Sequence, residues 1–143
     1  ADLQTHQLLE LEDIFASLEQ APLPIVLALD QVQILSNTAP SAGGGIFLGE
    51  GGQLTLNNST LAGNRTDHTN IFPNSGREGG AGLFVMGSSY SNSELVSSVV
   101  TITTSTFDQN VSTNENTATG GGAIYMTTAD SSVSISGSTF THN

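Results

Sequence analysis

The chain contains no cysteine and no tryptophan, and its arginines and lysines amount to two residues, Arg65 and Arg77. Without cysteine it forms no disulfide and carries no thiolate. Thirteen acidic residues leave a formal net charge of −11, and such a surface repels nucleic-acid phosphates and anionic membranes. No apolar run approaches the roughly 20 residues that span a bilayer. These absences predict that the protein neither binds nucleic acid nor inserts directly into a membrane.

What the chain does contain is a repeat. Three gap-free copies read aliphatic-x-aliphatic-x-x-Ser-Thr-(Leu/Phe)-x-x-Asn, at residues 54–64, 100–110 and 133–143. A glycine cluster and an apolar run precede each copy. Self-similarity of this kind is typical of solenoids, in which each repeat buries its apolar face against its neighbours. The copies begin at positions 54, 100 and 133, so the unequal insertions between them are expected in loops.

Within each copy apolar and polar residues alternate, which indicates short strands. We expect three such strands in each layer, here called a rung, and rungs stacked about 4.8 Å apart place like residues over one another. The expected core columns are Leu54/Val100/Val133, Leu56/Ile102/Ile135, Leu61/Phe107/Phe140 and Ile46/Leu83/Ile124. Asn64, Asn110 and Asn143 are expected to form a structural ladder of stacked amides at a bend, where asparagine tolerates left-handed dihedrals.

The first residues of the chain have a different pattern. Their apolar side chains recur at three- and four-residue spacing, at Leu8, Leu11, Phe15 and Leu18. This spacing predicts an amphipathic helix over about residues 4–20, which Pro22 ends. Residues 25–35 read as two strands of an atypical first rung. The chain therefore divides into a helix with a proline-rich connection, residues 1–24, and the repeats, residues 25–143.

Two short motifs carry a resemblance to a known family. The sequence GGAIY at residues 121–125, with Phe-x-x-Asn at 107–110 and 140–143, resembles the paired GGA(I/L/V) and FxxN motifs of polymorphic outer-membrane protein repeats. The first copy departs from that pattern with Leu61 in place of phenylalanine. The resemblance implies an all-β fold: a right-handed parallel β-helix of the pectin-lyase-like type, with about three to four rungs here. It also implies an extracellular or cell-surface location, and an N-terminal capping helix, a role that residues 4–20 fit.

The sequence stops at Asn143, on the repeat motif itself, with no closing segment after it. An uncapped rung presents unpaired backbone and an open apolar core. We therefore expect the partner at the C-terminal rung to be further repeats of the same chain or other protein subunits. The functional hypothesis is a non-catalytic structural or adhesive module that acts by end-to-end packing or by binding through its loops.

The alternative hypothesis is a carbohydrate-active β-helix, either a polysaccharide hydrolase or lyase or a glycan-binding module, that uses the loop at residues 66–78. Glycoside hydrolysis usually requires two carboxylates about 5–10 Å apart. Asp67 and Glu78 bracket this loop, together with His68 and Arg77. They are the candidate catalytic residues under this hypothesis.

Cofactor motifs are scarce. The three histidines are isolated in sequence and there is no cysteine, so a zinc site is not expected. The glycine clusters lack both the dinucleotide fingerprint and the lysine of a phosphate-binding loop. Calcium is the one cofactor that remains, because it binds carboxylates in loops, and its candidate ligands are Asp67, Glu78 and Asp108.

Overall fold

A computed structural model describes residues 24–67, 79–87, 89–91, 94–113, 121–127 and 130–143. Within these ranges the protein is all-β and contains no helix. The amphipathic helix predicted for residues 4–20 lies outside the described residues.

The strands follow one another in rungs of the same order. Rung 1 contains β1 (Val26–Asp30), β2 (Gln33–Leu35), β3 (Thr38–Ala39) and β4 (Ile46–Leu48). Rung 2 contains β5 (Gln53–Asn57), β6 (Thr60–Ala62), β7 (Arg65–Asp67) and β8 (Leu83–Val85), and is followed by the hairpin strands β9 (Ser89–Ser91) and β10 (Glu94–Val96). Rung 3 contains β11 (Val99–Thr103), β12 (Thr106–Asp108), β13 (Val111–Thr113) and β14 (Ile124–Met126). Rung 4 contains β15 (Ser132–Ser136) and β16 (Thr139–Thr141).

Hydrogen bonds join equivalent strands of successive rungs into four parallel sheets. The first sheet has the order β1-β5-β11-β15, and the second has the order β2-β6-β12-β16. The third sheet is β3-β7-β13 and the fourth is β4-β8-β14. Strands β9 and β10 pair with each other in antiparallel fashion. Because the chain visits the parallel sheets in the same order in each rung, the fold fits the parallel β-helix class.

The register places like residues over one another. The first sheet aligns Leu27, Leu54, Val100 and Val133 in one column and Leu29, Leu56, Ile102 and Ile135 in another. The second sheet aligns Ile34, Leu61, Phe107 and Phe140, and the fourth aligns Ile46, Leu83 and Ile124. This is the register that the three sequence copies predict, and the strands at residues 26–30 and 33–35 extend it by one rung.

The rung differs from the sequence prediction in its number of strands. The expectation of three short strands per rung is wrong, because the residues after the asparagine bend form the third sheet. The residues at its inward-facing position are small or polar, namely Ala39, Thr66 and Ser112. Thr66 is fully buried and donates its hydroxyl to Ser112 Oγ at 3.0 Å. A strand without large apolar residues gives no alternation of hydrophobicity by which it could be recognised.

The glycine clusters allow close approach between rungs at the bend before the fourth sheet. Gly80 has a φ of +58°, which glycine adopts without the cost that a side chain would impose. At Gly82 an added Cβ would lie 2.5 Å from the Ala123 carbonyl oxygen and 3.0 Å from Phe107 Cδ1. Glycine therefore serves here both as a tight corner and as space for the neighbouring rung and the core aromatic.

The core is most complete in rungs 2 and 3. The side chains of Leu56, Leu61, Ile102 and Phe107 are fully buried. The rings of Phe107 and Phe140 stack with centroids 4.8 Å apart and planes 9° from parallel. Each interior residue thus packs against its equivalents above and below, so the middle rungs shield one another from water.

Replacing Phe107 with alanine is expected to lower the free energy of unfolding by about 3–5 kcal/mol, because it empties a fully buried position between two stacked residues. Urea denaturation measures this change. The control is Val111→Ala, since Val111 is 43% exposed and its loss is expected to change stability by about 0.5 kcal/mol or less. Equal losses in the two variants would contradict the column assignment.

Candidate functional site

The most developed polar feature is a ladder of four asparagines at the bend between the second and third sheets. The Oδ1 of Asn64 accepts hydrogen bonds from the backbone N–H and the Nδ2–H of Asn37, both at 3.1 Å. The Oδ1 of Asn110 accepts the equivalent two bonds from Asn64, at 3.1 and 3.0 Å. Asn143 accepts them from Asn110, at 3.0 and 2.8 Å. One amide therefore binds the next, rung after rung.

The remaining Nδ2–H of each amide binds the backbone of the preceding rung. The acceptors are the carbonyls of Ile34, Leu61 and Phe107, each at 2.9 Å from the Nδ2 of Asn64, Asn110 and Asn143 respectively. Asn64 and Asn110 are fully buried. Their carboxamides each make two accepted and two donated bonds, which is their full capacity. The burial of two amides next to an aromatic core is stable for this reason.

The ladder differs from the sequence prediction in two respects. Asn37 is a member that the sequence analysis assigned to no ladder, although Ile34-x-x-Asn37 repeats the spacing of Leu61-x-x-Asn64. The left-handed backbone also lies one residue earlier than expected. The asparagines themselves do not have positive φ; the residues before them do, at Ser36, Gly63, Gln109 and His142, with φ between 53° and 62°.

A second ladder, made by serines, joins the rungs at the bend between the first and second sheets. The Oγ of Ser59 accepts the Val32 N–H at 3.2 Å, that of Ser105 accepts the Ser59 N–H at 3.1 Å, and that of Ser138 accepts the Ser105 N–H at 3.0 Å. Each hydroxyl donates to the carbonyl two residues earlier, at 2.7–3.0 Å. The sequence analysis did not predict this ladder, although a serine occupies the same position in all three copies.

An aromatic column lies at the outward position of the fourth sheet, and the sequence analysis did not single it out. The ring centroids of Phe47 and Phe84 are 5.3 Å apart with planes 7° from parallel, and those of Phe84 and Tyr125 are 5.6 Å apart. Phe84 is fully buried whereas Phe47 is largely exposed. The column stabilises the stack of rungs from outside the core.

The two acidic candidates that the structure describes lie in different sheets. Asp67 is on β7 in the third sheet, where its Oδ1 lies 3.4 Å from Arg65 Nη2 and 3.4 Å from the Thr113 hydroxyl. Asp108 is on β12 in the second sheet. Glu78 lies outside the described residues, together with His68 and Arg77. In the described ranges no three histidine, aspartate or glutamate side chains lie close enough together to share a metal ion.

Asp108 joins rung 3 to rung 4. Its Oδ1 accepts the Thr141 hydroxyl at 2.7 Å and lies 3.1 Å from His142 Nδ1. The bond from Thr141 is the main cause that holds the pKa of the Asp108 carboxyl below its ordinary 3.8, and the bond to His142 acts in the same direction. The carboxylate is thereby kept ionised, because hydrogen bonds to the charged form favour that form.

Comparison with known proteins leaves the family open. No protein-family model, no curated protein and no solved structure matches the chain. The resemblance to polymorphic outer-membrane protein repeats therefore stays a prediction. Among the residues with described structure, none belongs to a helix of the length and apolarity that crossing a membrane requires.

Both polar ladders and two core columns end at the C-terminal rung, which is therefore the candidate binding face. Ile135 is 45% exposed and Phe140 is 40% exposed, whereas their equivalents Ile102 and Phe107 in rung 3 are fully buried. The same columns that are closed in the middle of the stack are thus open at this face. Among the described core-column residues of rungs 2 to 4, Ile135 and Phe140 have the largest exposed fractions.

Replacing Asn110 with alanine is expected to lower the free energy of unfolding by about 1–3 kcal/mol or more, because it leaves the buried Leu61 carbonyl and Asn64 amide groups without partners. Asn143→Ala is the matched control. It removes the same side chain from rung 4, where the bonds are only partly buried and water can replace them, so its cost is expected to be smaller. Chemical denaturation of both variants measures the two losses. A larger loss for Asn143→Ala than for Asn110→Ala would contradict the assignment of the ladder.

Stability is expected to fall in acid partly through Asp108. Because the folded-state pKa is below the unfolded one, the carboxylate contributes stability above about pH 4, and this contribution is lost as pH falls through the folded-state pKa. The difference in melting temperature between the wild type and Asp108→Asn is therefore expected to shrink below pH 4. Thr141→Val, which removes the main partner but keeps the charge, should weaken the same pH dependence. A difference that is constant from pH 2 to pH 7 would contradict this role.

Proposed function

We propose that the chain is a right-handed parallel β-helix whose first residues, 1–24, form a capping helix over about residues 4–20 and a proline-rich connection, and that it is a non-catalytic structural or adhesive module of an extracellular or cell-surface protein. It acts by packing at the end of the helix or by binding through its loops. The handedness, the cap and the location rest on the resemblance of GGAIY at 121–125 and the Phe-x-x-Asn motifs to outer-membrane protein repeats.

The observation that carries this proposal is the open C-terminal rung. Ile135 and Phe140 continue two columns that are fully buried one rung earlier. Strands β15 and β16 also stand last in their sheets, with one hydrogen-bonded neighbour strand each. Sheet edges of this kind are templates for pairing with another chain or a further strand. Such a face is suited to pairing with a further rung, whether of this chain or of another.

The charged groups support a role without catalysis. A general acid requires a raised pKa, whereas the hydrogen bonds of Asp108 lower its pKa. Asp67 contacts Arg65 and Thr113 on an exposed surface. Neither carboxylate lies in an enclosed, water-excluding environment of the kind in which acid–base groups are tuned.

The energetics indicate that packing through this face alone is weak. Ile135 and Phe140 are already more than half buried, so completing their burial contributes about 0.6–1.3 kcal/mol for each side chain. Loss of translational and rotational freedom on association costs at least about 4 kcal/mol. Contacts between separate copies are therefore expected only at high concentration, whereas a rung in the same chain or a multivalent array avoids most of that cost.

Sedimentation equilibrium tests the proposal. Association near 1 mM requires a net binding free energy of roughly 4 kcal/mol, which the two side chains do not supply alone, so the edge strands β15 and β16 must add backbone hydrogen bonds. With these bonds the apparent mass is expected to rise as the concentration approaches about 1 mM. Ile135→Asp places a charge in the open face and should abolish the rise. Val99→Asp changes a residue of similar exposure on β11, which has a hydrogen-bonded neighbour strand on each side, and should not. A strictly monomeric wild type, or an equal effect of both variants, would overturn end packing.

A further inference from the structure

At the serine and asparagine bends the backbone N–H groups donate in one direction along the stack. At the serine position each rung donates its backbone N–H to the Oγ of the rung that follows, as Ser105 does to Ser138. At the asparagine position each rung donates its N–H and Nδ2–H to the Oδ1 that follows, as Asn110 does to Asn143. The backbone donors at these two positions are therefore turned toward the C-terminal end, although other backbone N–H groups, such as that of Thr139, donate to the preceding rung.

In rung 4 the same two positions are Ser138 and Asn143. By the geometry of the lower rungs, their backbone N–H groups point away from rung 3, and the described residues offer them no acceptor. The side chains exposed beside these donors are Ile135 and Phe140. The face thus combines two apolar side chains with donors that require oxygen acceptors at two defined places.

We propose that this face binds a parallel rung that carries a serine and an asparagine five positions apart, with a leucine or phenylalanine two residues after the serine. The hydroxyl accepts the Ser138 N–H and the carboxamide oxygen accepts the Asn143 N–H. In return the incoming Nδ2–H donates to the Phe140 carbonyl, as Asn143 donates to Phe107 and Asn110 donates to Leu61. This inference rests on the proposed function and names the chemistry of its partner.

The first rung of a second copy would be available only with the proposed N-terminal cap displaced, and even then it fits this face only in part. Asn37 occupies the asparagine position and continues that ladder. At the serine position, however, rung 1 carries Val32, which donates its N–H to Ser59 but has no hydroxyl with which to accept one. Head-to-tail stacking of copies would leave the Ser138 N–H unpaired. Since a buried unpaired N–H is costly, the face selects a rung of the Ser/Asn type over the protein's own first rung.

A chain extended after Asn143 by a second copy of residues 111–143 tests the proposal. This segment is the natural step from Asn110 to Asn143 and spans 33 residues. Its serine and asparagine would reach the two positions above Ser138 and Asn143. The exchange of the Ser138 and Asn143 amide hydrogens, followed by NMR at a dilution where copies do not associate, is expected to slow at least tenfold relative to the natural chain, which corresponds to about 1.4 kcal/mol.

Two altered extensions serve as controls. An extension with alanine in place of its serine and asparagine should lose the slowing at both amides. An extension with valine in place of the serine alone, as in rung 1, should lose it at Ser138 and keep it at Asn143. Equal protection with all three extensions, or none with the matched one, would overturn the proposal. Because copies do not associate under these conditions, absence of self-association in sedimentation would contradict end packing of copies without affecting this result.

Discussion

The hydrogen bond from one asparagine amide to the amide of the next rung is the interaction on which the rest of the structure depends. Asn64 and Asn110 are buried beside the core, and burying an amide without partners costs several kcal/mol. Each finds its full set of partners only when the rungs stand in the observed register. A shift by one residue would break the ladder and turn the apolar columns outward together. The hydrogen bonds of the buried amides and the burial of the apolar side chains therefore favour the same register between rungs.

This constraint explains why the rungs tolerate unequal lengths. Aligned residues of the first sheet are 27, 46 and 33 positions apart, as in Val26, Gln53, Val99 and Ser132. The residues that differ in number lie outside the strands of the four parallel sheets, and part of them forms the hairpin of β9 and β10, while the Ser-to-Asn spacing within the ladders stays constant. Loops can lengthen at a modest entropic cost. The serine and asparagine positions of each rung are five residues apart. An insertion or deletion between them would misplace one ladder relative to the other, and no rung contains such a change.

The sequence predicts the columns of the first, second and fourth sheets because large apolar residues recur there at matching positions. It predicts the asparagine ladder at residues 64, 110 and 143 because asparagine recurs at the same position of all three copies. The third sheet escapes prediction because its inward residues are Ala39, Thr66 and Ser112, which leave no hydrophobic pattern. The position of the left-handed residues is not predicted either, because Gly63, Gln109 and His142 share a φ between 53° and 62° but have no side-chain chemistry in common. Backbone geometry, and not residue type, is repeated there.

Exchange of the asparagine side-chain amide hydrogens tests the central claim most directly. If the ladder organises the fold, the Nδ2 hydrogens of Asn64 and Asn110 should exchange slowly with solvent, on the timescale of the most protected backbone amides. Those of Asn57, which bind the exposed Asp30 carboxylate, should exchange rapidly in the same sample. Equally rapid exchange at all three asparagines would contradict a ladder that holds the rungs in register.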